Sequence, residues 1–238
     1  MITGASGGIG EALCRQFLQA NYRVIATDRF LPINGTVNIA IDLEELVKDA
    51  TYRTEKLQAL RESCDGHLDA LVNNAALQIT VPFELLALED FMSSQKINVA
   101  APFLLAQAML SELRAAHGSI INIASIHAQK TKPNFVAYAT SKAALLGLTQ
   151  AMAVELGASI RVNAISPAAI MTPMLQAGFE GNTDGFAALK THHPAGRIGT
   201  TDEVARLALF LASDQALFIN GANLCIDGAI GVRLHDPE

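Results

Sequence analysis

Short apolar runs recur along this chain and alternate with longer stretches in which apolar positions repeat every three or four residues. Tyr22–Thr27, Val37–Ile41, His67–Val72, Ser119–Ala124, Ile160–Ile165 and Asn223–Ile226 read as strands. Several are apolar on both sides of the alternation, the mark of strands buried on both faces. The intervening pattern is helical. It runs from Glu11 to Leu18 with Leu13, Phe17 and Leu18 on one stripe, from Glu44 to about Cys64 on a charged segment, from Glu89 to about Leu113, and from Tyr138 to a glycine stop at Gly157. Thr200-Thr201-Asp202-Glu203 matches a capping box and predicts a helix through about Ala212. Between Met174 and His193 the pattern lapses into a Gly-, Asn- and Thr-rich stretch, expected to be a loop that serves as a lid or specificity element.

Strands alternating with helices at this rhythm predict an α/β fold. The expected form is a Rossmann-type doubly wound parallel sheet with helices on both faces, in which ligands bind beyond the carboxyl ends of the strands. No linker-like composition divides residues 1–238, so one domain is expected. The start is unusual: only Met1 and Ile2 precede Thr3, too few for a strand of ordinary length feeding a glycine turn. Either the first strand is cut short or the numbering omits residues, and the support of that turn is the feature in doubt.

Composition narrows the class. Half of the 238 residues are hydrophobic, 17% are charged and the net charge is -6, which supplies a two-sided core and argues against a nucleic-acid surface. The longest apolar runs, such as Ala100 to Leu110, are interrupted by Pro102 and Gln107 and fall short of the ~20 residues of a membrane span, so a soluble protein is expected. Cys14, Cys64 and Cys225 lack metal-ligand spacing and no secretory signal precedes them, which fits reduced thiols, a cytoplasmic setting and no metal requirement.

The chemistry-bearing residues fall at the predicted strand ends. Thr3-Gly4-Ala5-Ser6-Gly7-Gly8-Ile9-Gly10 is a glycine turn opening a helix, where a pyrophosphate can approach exposed N–H groups; a ligand-free tight turn is the competing reading. Asp28, after the second strand, stands where an acidic residue reads ribose hydroxyls, favouring NAD over NADP, although Arg29 beside it can accommodate a 2′-phosphate. Asn73-Asn74-Ala75-Ala76 leaves room for a flat ligand, or Asn74 merely braces neighbouring turns. Asn98 is an amide in an apolar stretch and needs partners. Ser125 lies thirteen residues before Tyr138, a span that can fold its hydroxyl back to the phenol. Tyr138 and Lys142 are four apart on a helix, so the ammonium sits beside the phenol and favours phenolate, lowering its pKa.

In these motifs, taken in order, the chain closely resembles the short-chain dehydrogenase/reductase family over essentially its whole length. The family's T-G-x-x-x-G-x-G matches Thr3 to Gly10, its N-N-A-G matches Asn73 to Ala76, and its active-site Asn, Ser, Tyr and Lys match Asn98, Ser125, Tyr138 and Lys142. The resemblance implies an NAD-dependent oxidoreductase interconverting a secondary alcohol and a ketone, with NADP the less favoured cofactor. It implies Gly4, Ser6, Gly8, Ile9 and Gly10 at the pyrophosphate, Asp28 at the adenosine ribose, Asp42 and Leu43 beside adenine, and Asn74 and Ala75 along the cofactor. Pro167, Ile170 and Thr172 would hold the nicotinamide carboxamide. Ser125 would polarise the substrate oxygen, Tyr138 move the proton, Lys142 lower the tyrosine pKa and bind the nicotinamide ribose, and Asn98 hold a helix irregularity and an ordered water. Ala76, Ala168 and Ala229 depart from the family's glycines without removing a reacting group.

For the substrate, Gln78, His127 and Gln129 are candidates for a polar wall around a small hydroxylated or carboxylated compound, with His192 and His193 as residues that close over it. Side chains at adjacent positions point apart too readily for a metal pair. The resemblance further implies a homotetramer or homodimer built on the helices carrying Asn98 and Tyr138. Two competing readings are a 3-oxoacyl-thioester reductase-like activity and a catalytically silent NAD-binding regulator; the intact Ser125, Tyr138 and Lys142 set argues against the second.

Overall fold

A computed structural model describes residues 1–31 and 35–234 of the chain. Strands β1 (Ile2–Thr3), β2 (Ile25–Asp28), β3 (Val37–Ala40), β4 (Ala70–Asn73), β5 (Ser119–Ile123), β6 (Arg161–Pro167) and β7 (Asn223–Ile226) form one parallel sheet in the order β3-β2-β1-β4-β5-β6-β7. The order reverses direction at β1, which places a crevice beyond the carboxyl ends of β1 and β4.

Alternate side chains along each strand face opposite layers, and the core divides accordingly. Leu71, Ile120 and Val162 pack on one face with Leu46, Leu60, Leu105 and Met109. Val72, Ile121 and Ile165 pack on the other with Leu13, Phe17, Val204 and Leu211. That second face is covered by α1 (Gly8–Gln19) and α10 (Thr201–Ala212), the latter opened by the expected capping box between Thr200 and Glu203.

Two helical expectations need correction and a third is refined. The charged segment after the third strand is two helices, α2 (Leu43–Lys48) and α3 (Ala50–Cys64), because Asp49 leaves helical geometry and its carboxylate accepts from the Thr51 and Tyr52 N–H groups. The stretch from Glu89 to Leu113 is mostly helical, as expected, in the segments α4 (Leu88–Gln95), a π-helical turn (Lys96–Ala100), α5 (Ala101–Ala108) and α6 (Leu110–Ala115). The expected loop from Met174 to His193 contains α8 (Pro173–Ala177) and α9 (Thr183–His192). Its small polar residues act as caps: Thr172 accepts from Leu175 N–H with Pro173 in the first turn, Asn182 accepts from Gly185 N–H, and Gly178 ends α8. The tyrosine helix, α7 (Val136–Leu156), runs as expected and stops at Gly157.

The first strand has two residues, yet both sides of it are paired: Ile2 stands opposite Ala26 and Val72, and Thr3 opposite Thr27. The glycine turn is therefore supported by the sheet. A groove of about 600 Å³ opens at the other end of this strand, between the Tyr22–Ile25 and His67–Ala70 segments.

Ala229 holds a left-handed conformation, φ 68°, between Gly228 and the closing turn Ile230–Val232. A Cβ makes that conformation unfavourable, and glycine removes the strain at the cost of some unfolded-state entropy. Ala229→Gly is expected to stabilise the protein by roughly 0.5–1 kcal/mol in urea denaturation; a lower midpoint would show that the surrounding structure favours the methyl group.

Candidate active site

The crevice is built first by glycines. Gly4, at φ 64°, lies so close to the end of β4 that an added Cβ would come within 2.7 Å of Ala75 Cα, and one at Gly10 would meet Gly4 O at 2.0 Å. Only a bare backbone lets β1, β4 and α1 meet this tightly. Thr3 Oγ1 accepts from the N–H groups of Asn74 and Ala75, and Asn74 Nδ2 donates to the carbonyls of Thr3 and Gly4. Asn74 is thus a brace for the glycine turn. Thr3 was not among the residues expected at the site; its hydroxyl directly before the first glycine is the signal that points to it.

These residues fit a dinucleotide. The first turn of the twelve-residue α1 carries no side-chain cap, so its free N–H groups remain available at the crevice, with Glu11 the one acidic residue of that turn. Asp28, at the end of β2, reaches the same turn: Oδ2 accepts from Ser6 N–H at 3.0 Å and Oδ1 from Arg29 N–H at 2.7 Å. Each carboxylate oxygen keeps a lone pair for a ribose hydroxyl. Beyond Pro167, Ile170 bridges to Gly199, and Thr172 lies against α1, where a Cβ on Gly8 would approach Thr172 Cβ at 3.2 Å. Asp28, the Gly4–Gly10 turn and Thr172 form one continuous cradle. Asp42 caps α2 through the Glu44 and Glu45 N–H groups, while the Leu43 side chain is buried in the core, so Asp42 supplies the polar group of that pair.

Beside the cradle, β5 and α7 bring Ser125, Tyr138 and Lys142 together. Ser125 follows β5 in extended geometry and opens a short turn, Ile126–Ala128, accepting from His127 N–H through Oγ. Tyr138 sits in the first turn of α7, its phenol close enough to Ser125 for the serine to act on its pKa, with Lys142 Nζ 5.6 Å from its ring centroid. Lys142 is 2% exposed and donates to Ile123 O at 2.6 Å. Asn98 lies in the π-helical turn, as a helix irregularity required: its amide pairs with both backbone groups of Leu77 and donates to Ser141 Oγ, which in turn donates to Tyr138 O.

Electrostatics correct one expectation. Burial pushes the Tyr138 phenol up to about 12, with the Ser125 hydrogen bond acting in the opposite direction, and burial brings Lys142 down to about 7. Desolvation penalises the charged form of both groups, so in the free protein the net shift of the phenol is upward rather than the downward one expected.

The remaining candidates separate. His127 packs against the site, its ring stacked on Phe135 and edge-on to Tyr138. Gln78 and Gln129 are exposed, and no side-chain hydrogen bond ties either to the site among the described residues. His192 is exposed and His193 buried, with His193 Nδ1 on Leu189 O, so the two rings diverge. Beneath the site, Asn73 Nδ2 donates to Asn122 Oδ1 and Asn122 Nδ2 to Thr149 Oγ1, a buried polar ladder between β4, β5 and α7. Asparagines inside otherwise apolar strands are the signal for it.

Residues 4–230 match the family model described as enoyl-(acyl carrier protein) reductase. D-threitol dehydrogenase of Mycolicibacterium smegmatis is 35% identical, the alignment covering 98% of this chain and 92% of that one. Among solved structures, 4-hydroxyisoleucine dehydrogenase complexed with NADH superposes with a TM-score of 0.87 at 31% identity, over 98% of each chain. ElxO with NADP bound superposes at 0.86 with 27% identity, again over 98% of each.

The Lys142 shift has a stability consequence. Its folded value of about 7 lies below the ordinary 10.5, so the unfolded chain binds more protons between these values and stability rises with pH across that window. Lys142→Met removes the buried base. The variant is expected to gain most over the original protein at or below pH 7, the gain shrinking toward pH 10, in urea midpoints measured along the pH axis. A gain independent of pH would contradict burial as the cause.

Proposed function

Because this chain belongs to the short-chain dehydrogenase/reductase family, oxidoreductases acting on CH–OH groups, we propose that it interconverts a secondary alcohol and a ketone on a small polar substrate with NAD(H). The observation that carries this reading is the meeting of Ser125, Tyr138 and Lys142 at the carboxyl end of β5, beside the cradle formed by Asp28, the glycine turn and Thr172. A bound nicotinamide supplies the hydride donor or acceptor.

The chain's own residues handle the proton and the oxygen. Ser125 Oγ donates to the substrate oxygen, where negative charge grows as the carbonyl is reduced. Tyr138 Oη carries the proton, and burial keeps the phenol protonated at neutral pH, the form that donates in ketone reduction. Alcohol oxidation needs phenolate, and Lys142 in its charged form one helical turn away stabilises that state. Asn98 fixes the π-helical turn and, through Ser141, the backbone of Tyr138, so it positions the phenol. Gly4, Ser6, Gly8, Ile9 and Gly10 hold the pyrophosphate, Asn74 and Ala75 follow the cofactor, and Pro167, Ile170 and Thr172 take the carboxamide. His127, with Gln78 and Gln129 on the rim, faces the substrate.

Asp28 supports NAD over NADP, since its carboxylate repels a 2′-phosphate at hydrogen-bonding range. Exposed Phe103, Val136 and Val154, near the helices carrying Asn98 and Tyr138, support assembly as a homodimer or homotetramer through those helices.

Tyr138→Phe is expected to lower kcat/KM on a polyol panel by about 10³, followed by NADH absorbance; unchanged turnover would refute the proton-transfer role. NAD is expected to outperform NADP in kcat/KM by at least about tenfold, with Asp28→Ser reversing most of that preference. Equal efficiency with both cofactors would refute the assignment of Asp28.

A further inference from the structure

An ordered stack of side chains lies against Tyr138. Lys132 Nζ lies 4.9 Å from the Phe135 ring centroid. The Phe135 ring lies 4.2 Å from that of His127 at an interplanar angle of 7°, and His127 meets Tyr138 edge-on at 5.9 Å and 72°. Phe135 also meets Tyr138 edge-on, at 6.2 Å. Three rings therefore hold one another from two directions, and the imidazole cannot rotate without breaking the stack.

Its polar atoms are also constrained. Nδ1 lies 3.1 Å from Thr131 Oγ1, and the backbone N–H of His127 donates to Ser125 Oγ, so the residue is tied to the serine of the proposed reacting pair. Nε2 has no hydrogen-bond partner among the described residues. Burial and nearby Lys132 hold the imidazole down to about 4, so at neutral pH it is uncharged. A neutral ring nitrogen suits a hydroxyl as donor or acceptor, whereas a carboxylate gains most from a cation or several N–H donors. Among the described residues no charged side chain is hydrogen-bonded to this ring, and the nearby Lys132 ammonium lies over the Phe135 ring.

We propose that His127 is the specificity-determining residue of the site, and that its Nε2 hydrogen-bonds a hydroxyl on the carbon next to the reacting one. The substrate class is then uncharged vicinal diols and polyols with their α-hydroxyketones, in preference to 2-hydroxy acids. This rests on Ser125 and Tyr138 binding the reacting oxygen. The stack fixes the second contact relative to that oxygen, because the same phenol that takes the proton orients the imidazole. A ring nitrogen fixed in place by its neighbours favours a substrate that carries a hydroxyl opposite it over an analogue that lacks one.

The test compares 2,3-butanediol, 2-butanol and 2-hydroxybutanoate, which share a four-carbon skeleton and a secondary alcohol. The original enzyme is expected to favour the diol over 2-butanol by about 10- to 100-fold in kcat/KM, and over the hydroxy acid. In His127→Ala that ratio should fall to within about threefold of unity, with the loss in KM for the diol; His127→Gln should restore part of it, and Phe135→Leu should lower it by freeing the ring. Each ratio is measured on one preparation, so partial misfolding cancels. An unchanged ratio in His127→Ala overturns the proposal, as does preference for 2-hydroxybutanoate that His127 substitution abolishes. If the original enzyme turns over neither these alcohols nor threitol, the alcohol–ketone reading itself falls, and the substrate inference with it.

Discussion

The structure turns on a lysine ammonium carried out of water without a carboxylate to meet it among the described residues. Lys142 is almost fully buried, and its hydrogen-bond partner is the carbonyl of Ile123, at the last position of β5. A charge in that setting is disfavoured, which brings the group into the neutral range, where a small electrostatic change switches it. The same exclusion of water raises the Tyr138 phenol. An isolated helix with tyrosine and lysine one turn apart would give neither effect; the sheet beneath it does.

The rest of the fold positions this pair. The parallel sheet brings the carboxyl ends of β1, β4, β5 and β6 to one edge, and the glycines at positions 4 and 10 let backbone meet backbone there. On the far side, the π-helical turn places Asn98 where it satisfies Leu77 and reaches Ser141, and Ser141 holds the backbone of Tyr138. The ladder from Asn73 through Asn122 to Thr149 locks α7 to the sheet from below. Polar groups inside a close-packed core are costly unless matched, so these chains of bonds allow few alternative arrangements of the helix.

Much of this was legible in the residues. Alternation of apolar runs with helical stretches predicted the parallel sheet, and the Thr200–Glu203 capping box predicted the helix that it opens. The motif positions Gly4, Asp28, Asn98, Ser125, Tyr138 and Lys142 all fell at the ligand end of the sheet or on the helices beside it. Local punctuation was misread where one residue type serves two roles: Thr172, Asn182 and Gly178 look like loop residues in a row, but act as caps for α8 and α9. Asp49 was hidden for the same reason, since a charged residue inside a charged helix gives no sign that it starts a new one. The direction of the pKa shifts was not legible at all. Spacing brings Lys142 to Tyr138, while the balance between their attraction and their desolvation depends on how much protein surrounds them, a property of the assembled core.

The central claim is that burial, acting on both members, raises the Tyr138 phenol and lowers the Lys142 ammonium in the free protein. It is tested most directly by following the three tyrosines through a pH titration with ring-labelled tyrosine and nuclear magnetic resonance. Tyr22 and Tyr52 are identified by substitution. The account predicts that the Tyr138 signal stays that of the phenol through pH 10 and moves only near 12 in the cofactor-free protein. A transition of Tyr138 at or below the ordinary value of 10 would show that Lys142 already governs the phenol, and would contradict it.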